Sequence, residues 1–182
     1  MTNNQPTIDT AALAADIDAL CRLSGRFTVR SGLEVDEYFD KYLFEAQPEL
    51  LRRIAEAMVV LLPPATQAVG GLELGGVPIA TMISSLTGLP ARFVRKEAKT
   101  YGTCRLAEGG ELDGLRVTLI EDIVTTGGAV RNAAVALREL GAEVDTVVCV
   151  IDRSEPAANR LHEVGVATRS VLTKRDLDAV SR

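Results

Sequence analysis

Tryptophan is absent from this chain of 182 residues, aromatic residues make up 4% of it, and it has one histidine. With so few rings the core has to be aliphatic. Ala, Val, Leu and Ile dominate every periodic stretch, as buried parallel sheets require. The lone His162 leaves no material for a histidine pair, a Ser-His-Asp triad or a His-rich metal cage. It falls away from every motif and reads as a surface residue on a helix near 156–164. The three cysteines, Cys21, Cys104 and Cys149, are odd in number and widely spaced. That pattern forms neither a disulfide framework nor a metal-ligand spacing, and implies free thiols in a reducing cytosol. Cys104 lies near a basic stretch, but nothing marks it as a nucleophile. No G-x-x-x-x-G-K-[ST] occurs and no G-x-G-x-x-G follows a strand, which excludes the P-loop and the dinucleotide fingerprint. The longest apolar run, Met58 to Pro64, is too short to span a bilayer. No basic segment followed by an apolar core opens the chain. A cytoplasmic protein is expected, and its net charge of −5 argues against a general nucleic-acid binder.

What is present is an ordinary globular balance, 47% apolar and 25% charged, in a length that suits one domain. The most informative stretch is VTLIEDIVTTGGAV, Val117 to Val130. Four mostly β-favouring residues lead into Glu121 and Asp122, a Thr/Gly loop follows, and an alanine-rich segment with helical composition begins at Ala129. This predicts a buried strand delivering two carboxylates to a sheet edge, then a loop opening onto a helix N-terminus. Such a terminus offers unpaired N–H groups and a positive dipole end to an anion. Gly127 and Gly128 allow close backbone approach, and Thr125 and Thr126 add hydroxyl donors. Carboxylates do not ligate phosphate; they suit the hydroxyls of a sugar, or a metal carried with it. A phosphate beside a sugar diol implies a phosphorylated sugar or a nucleotide.

Along the chain, residues 8–23 have amphipathic helical spacing, 27–30 alternate like a strand, and Tyr38 to Phe44 reads as a second extended piece. Pro48 suits a first helical position, with a helix over 49–62 stopped by Pro63 and Pro64. Strands are then expected near 67–71, 91–95, 116–121, 144–151 and 168–172, with helices near 77–87, 129–140 and 156–164. Such alternation implies an α/β fold with a parallel sheet and its site at the carboxyl ends of the strands. Residues 1–46 fall outside the rhythm and are expected to form a small cap over a core at 47–182. Residues 96–115, a long polar connection containing four glycines, are expected to form a mobile lid.

The Leu119 to Val130 segment resembles the phosphoribosyl-diphosphate (PRPP) signature of the type I phosphoribosyltransferases. Three further segments, in order, resemble the orotate branch of that family: Phe27 to Gly32 with Tyr38-Phe39-Asp40, the basic Arg95 to Gly102, and Asp152-Arg153. The resemblance implies a type I fold with a parallel sheet flanked by helices, an N-terminal hood and a flexible catalytic loop. It implies transfer of phosphoribosyl from PRPP to orotate, with Mg²⁺ as cofactor. Glu121, Asp122 and Lys99 are the implied catalytic residues. PRPP would be held by Arg30, Leu74, Gly75, Arg95, Lys96, Lys99, Tyr101, Glu121, Asp122, Ile123, Val124, Thr125, Thr126, Gly127, Gly128 and Ala129. Orotate would meet Tyr38, Phe39, Thr125 and Arg153, a guanidinium being the natural partner of its carboxylate. No protein ligand is assigned to the metal; Mg²⁺ travels with PRPP and comes near Glu121 and Asp122. The resemblance also implies a homodimer in which the basic loop reaches the neighbouring subunit's site.

On composition alone, Arg95, Lys96 and Lys99 are a solvated basic stretch. Next to a PRPP signature they become cations for departing pyrophosphate. The Gly70 to Pro78 turn offers backbone N–H groups for the same anion, although glycines at such turns also serve packing. The chain departs from the family pattern at Gly75, where many members have lysine, at Tyr101, where histidine is frequent, and at Arg30, where some have lysine. Two other readings stay open: a phosphoribosyltransferase for another nucleobase, and a non-catalytic PRPP-sensing regulator.

Overall fold

The computed structural model describes residues 9–28, 32–97, 106–155 and 159–181. Helix α1 (Thr10–Cys21) begins at Asp9, whose carboxylate accepts the Ala12 N–H. The chain turns directly into β1 (Arg22–Thr28), paired antiparallel with β2 (Glu34–Phe39). Two helices follow, α2 (Tyr42–Ala46) and α3 (Pro48–Val59), the second with proline in its first turn as anticipated.

The rest alternates: β3 (Ala68–Leu72), α4 (Gly76–Thr87), β4 (Ala91–Val94), β5 (Ala107–Glu108), β6 (Val117–Val124), α5 (Gly128–Glu139), β7 (Thr146–Asp152), β8 (Ala167–Thr173) and α6 (Lys174–Val180). Six strands form one sheet in the order β5-β4-β3-β6-β7-β8, parallel except for the antiparallel β4/β5 edge. The fold class expected from the sequence is therefore present. Successive strand residues point to opposite faces, and the two halves of the core follow that rule. Val69, Ile120, Val148 and Val150 join one cluster with Ile17, Phe44, Ile54, Met58 and Ile83 from the helices on that side. Ala68, Leu119, Val147 and Cys149 join the other with Val130, Ala134 and Leu137 of α5.

Register fixes where the site forms. Leu72 pairs with Val94, and Val124 with Asp152, so strands end side by side along one edge. Backbone bonds from Glu73 N–H to Val94 O and from Arg153 N–H to Val124 O, each 2.8 Å, tie the first loop residues together. The turn at 73–76, the chain at 95–97, the loop at 125–127 and Arg153 thus share one sheet edge, as the α/β rule requires.

Several expectations need correction. Tyr38 to Phe44 is not one extended piece: Tyr38 and Phe39 end β2, and Asp40 Oδ1 accepts the Tyr42 N–H, starting α2. No helix fills the described part of 156–164; Leu161–Val164 is one 3₁₀ turn. The side chains of Asp152 and Asn159 accept the N–H groups of Ser154 and Leu161, local bonds that compete with helix formation. His162 is exposed on that short turn. Helix α6, with its Thr173/Asp176 capping box, went unread although such a box is legible in sequence. Within 96–115, two residues form β5, a strand too short to register as alternation.

Candidate active site

Strand β6 enters the site as a buried element, with only Ile123 of its eight residues partly exposed. Its last turns carry Glu121, 9% exposed, and Asp122, 1% exposed. Burial presses both carboxyls toward the neutral form, and the pair divides the burden. Glu121 is raised well above its ordinary value by burial and by the Asp122 charge beside it. For Asp122, burial is outweighed by hydrogen bonding to Glu121 and Lys41, which holds it below its ordinary value. The two shifts run in opposite directions, favouring the proton on Glu121 and the charge on Asp122.

Both Asp122 oxygens are engaged. Oδ1 accepts the Ile123 N–H at 2.5 Å, and Oδ2 meets the Lys41 ammonium at 2.5 Å. Burial acts against the Lys41 charge, but Asp122 more than compensates and the ammonium pKa is raised. Lys41 stands immediately before α2, and Glu45 of the same helix, 7% exposed, turns a carboxyl oxygen toward the same place. Glu45 Oε1 has no hydrogen-bond partner. Burial first, then the Asp122 carboxylate, raise its pKa to about 8. Neither Lys41 nor Glu45 was anticipated; they lie some eighty positions from Asp122, and no local spacing signals the contact.

Gly75 explains itself here. It has right-handed φ and ψ of −65° and −32°, available to any residue. A Cβ on it would stand 1.7 Å from Asp122 Oδ2 and 2.6 Å from Glu45 Oε1. The carboxylates occupy the space a side chain needs. Leu74 beside it is exposed, and the Glu73–Leu74 peptide is cis.

Thr125 and Thr126 are exposed at the end of β6, and Gly127 at the α5 N-cap has φ of 73°, the left-handed region that favours glycine. The first helical backbone bond runs from Arg131 N–H to Gly127 O. Of the N–H groups that precede it, that of Gly128 donates a long 3.5 Å bond to Thr126 Oγ1, and those of Ala129 and Val130 stand at the positive end of a twelve-residue helix, where an anion would meet them. Gly128 and Ala129 are exposed, so this cradle is open.

Arg95 and Lys96 follow β4; the Lys96 N–H donates to Glu73 at 2.5 Å, and Arg95 Nε is buried without a partner. They line a pocket of about 420 Å³ with Glu73, Leu72 and Ala129. On the other side, the Arg153 guanidinium lies 5.6 Å from the Phe39 ring centroid, and Tyr38 stacks at 5.5 Å on Phe27. The structure thus brings the carboxylates, the open helix end, Arg95, Lys96, Gly75, Arg153 and Phe39 to one edge, while Tyr38, the preceding residue of β2, packs on Phe27. Arg30, Lys99, Tyr101 and Cys104 lie outside the described residues. Among the described residues, no group of three or more His, Cys, Asp or Glu side chains is disposed to hold a metal ion, and no helix is long and apolar enough to cross a membrane.

The model of the phosphoribosyl transferase domain family matches residues 44–174. The chain is 66% identical over 173 residues to the orotate phosphoribosyltransferase of a Nocardioides species, covering 95% of this chain and 96% of the relative. Identity to the orotate phosphoribosyltransferase of Methanocella arvoryzae is 40%, over 84% of this chain and 87% of that one. Among solved structures, orotate phosphoribosyltransferase of Mycobacterium tuberculosis in complex with PRPP superposes with a TM-score of 0.77 at 34% identity, covering 93% of this chain and 99% of that one. The Fe(III) dicitrate complex of the same enzyme gives 0.81 at 38%, over 93% and 98%.

Proposed function

The chain belongs to the orotate phosphoribosyltransferase family, and from that membership we propose how its residues carry phosphoribosyl from PRPP to orotate. The C1–O bond of PRPP breaks with its electron pair leaving on pyrophosphate. N1 of orotate bonds to C1 and its proton passes to the departing pyrophosphate, so that orotidine 5'-monophosphate results, a precursor of UMP. The observation that carries this reading is the buried Glu121/Asp122 pair set beside an open helix N-terminus on one sheet edge.

In this reading the 5'-phosphate sits on Thr125, Thr126, Gly127, Gly128 and Ala129, while Ile123 and Val124 form the floor. The ribose diol meets Glu121 and Asp122. The charge on Asp122 opposes the positive charge growing on the ribose ring, an electrostatic contribution preorganised by the fold. Arg95, Lys96 and Lys99, with Arg30 and Tyr101, receive pyrophosphate beside the Leu74-Gly75 turn. Arg153 takes the orotate carboxylate, held against Phe39 with Tyr38 and Thr125 nearby. In the free protein Asp122 Oδ2 is held by Lys41, and neither carboxyl is assigned as a ligand for a protein-held metal. Mg²⁺ would come as the magnesium complex of PRPP and would supply positive charge to the diphosphate. The hood is residues 1–46 and the lid spans 96–115; in a homodimer its basic loop covers the partner's site and excludes water. Both substrates are charged solutes that do not cross membranes unaided, and the cytoplasm is the proposed compartment.

The test follows loss of orotate absorbance with PRPP and Mg²⁺ beside adenine, guanine, hypoxanthine, xanthine and uracil. Orotate-specific turnover supports the assignment. Turnover of another base discards the role given to Arg153. Binding of PRPP without turnover of any base makes the chain a sensor.

A further inference from the structure

The substrate cannot reach Asp122 as the site stands. Its side chain is 1% exposed, Oδ1 is bound to the Ile123 N–H, and Oδ2 is closed off by the Lys41 ammonium on one side and by Gly75 and Glu45 on the other. For a ribose hydroxyl to use Oδ2, Lys41 has to move. Its side chain is 34% exposed, so it has somewhere to go. An ammonium leaving a buried carboxylate needs another anion, since an unpaired charge in such surroundings is costly. Oδ2 is also the atom that a Cβ on Gly75 would meet first, so Lys41, paired to it, already stands at the mouth of the 73–76 turn. That turn is where the functional reading places the diphosphate of PRPP. Among the described residues, Lys41 is the cation that salt-bridges this acidic group, set against Glu121, Asp122 and Glu45. Glu45 Oε1 faces the same spot: it would stand 2.6 Å and Asp122 Oδ2 1.7 Å from a Gly75 Cβ, and the Asp122 carboxylate helps hold the Glu45 pKa up.

Resting on that functional reading, we propose that Lys41 is a substrate-binding residue whose ammonium passes from Asp122 to the diphosphate of PRPP when the ribose takes over the carboxylate. It supplies from the α2 side the positive charge that position 75 cannot carry, because any side chain there collides with Asp122 and Glu45. The exchange keeps the ammonium paired before and after binding, and the ribose hydroxyls donate hydrogen bonds to the carboxylate it leaves. It also gives the free protein a way to keep Asp122 ionised while buried.

The experiment measures affinities by calorimetry at fixed Mg²⁺ for PRPP and for ribose 5-phosphate, which keeps the diol and 5'-phosphate but lacks the diphosphate. Lys41→Met is expected to weaken PRPP about 10- to 100-fold, the range of one charge-assisted contact, and to leave ribose 5-phosphate within about threefold. Lys41→Arg, which keeps the charge, is expected to restore most of the PRPP affinity. Equal weakening of both ligands overturns the proposal, because Lys41 would then act only through Asp122 on the diol. Unchanged PRPP affinity overturns it too. If Lys41→Met fails to fold, Lys41→Met/Glu45→Gln, which removes one cation and one ionisable carboxyl together, is read by the same criteria. A wild-type protein that binds neither ligand and turns over no base overturns the functional reading first, and this proposal with it.

Discussion

Gly75→Ala adds one methyl group, and the structure says where it lands: 1.7 Å from Asp122 Oδ2, 2.5 Å from its Cγ and 2.6 Å from Glu45 Oε1. An ordinary carbon–oxygen contact is about 3.3–3.6 Å, so the carboxylate has to retreat by about 1.5 Å or more. It has no free direction, because Oδ1 is bound to Ile123 N–H and Oδ2 to Lys41. Backbone strain contributes nothing, since Gly75 already has φ and ψ that alanine prefers. Overpacking of this kind costs about 1–3 kcal/mol. Weakening the Lys41–Asp122 pair adds about 1 kcal/mol, a small increment because Lys41 is one-third exposed and water replaces part of what is lost. A total near 3 kcal/mol lowers the melting temperature by about 6–12 °C in a chain of this size. Displacing the carboxylate proposed to meet the ribose by more than 1 Å is expected to lower kcat/KM about 100-fold. The assays are thermal unfolding and the loss of orotate absorbance. Gly88→Ala is the control, because Gly88 has φ of 76° with nothing within 4 Å of a Cβ. It bears only backbone strain of about 1–2 kcal/mol and is expected to keep full activity. If Gly75→Ala matched wild-type turnover and melting, the crowding argument for this turn would be refuted.

Three other expectations follow from the same geometry. Gly127→Ala forces a left-handed φ of 73° on alanine and puts its Cβ 2.7 Å from Leu161 Cγ; PRPP affinity should fall at least tenfold, and Leu161→Ala in the same chain should restore part of it, whereas no recovery would remove Leu161 from the argument. Glu45 ionises near 4.5 when unfolded but near 8 when folded, so the folded protein binds the extra proton between those values and stability falls as pH rises across that window. Glu45→Gln should therefore gain on the wild type in thermal unfolding from about pH 5 to pH 8 and level off above; a constant difference across that range would contradict the assignment. Phe39→Leu removes the ring beneath Arg153, a contact worth about 0.5–1 kcal/mol, and should raise KM for orotate about two- to fivefold with KM for PRPP unchanged. A rise in both would mean that Phe39 supports the hood rather than Arg153.

The elements that read correctly from sequence are those whose burial imposes a pattern. β6 is apolar almost throughout because both of its faces are covered, and its carboxylates interrupt the run where the sheet ends. The alanine-rich α5 after two glycines, proline at the start of α3, and the β3, β4, β7 and β8 positions were legible for the same reason. Local patterning failed where short-range hydrogen bonds decide the conformation. Asp40 turns a nominally extended stretch into α2, and Asp152 and Asn159 bind the N–H groups of Ser154 and Leu161 on either side of residues outside the described ones, where alternation suggested a helix.

By itself the sequence determined the chemistry on offer: adjacent carboxylates, a phosphate-shaped glycine loop, cations after β4 and an arginine after β7, in an order that fits one family. These are local properties, encoded within a few residues of one another. Only the tertiary structure decided that Lys41 and Glu45, from the start of a five-residue helix and from the helix itself, close around Asp122 from far back in the chain. It likewise decided that position 75 has to be glycine, although its backbone conformation would admit any residue. Both facts depend on how α2 and the β3–α4 turn pack across the end of β6, and a contact between segments so far apart leaves no periodicity or spacing for a linear reading to find.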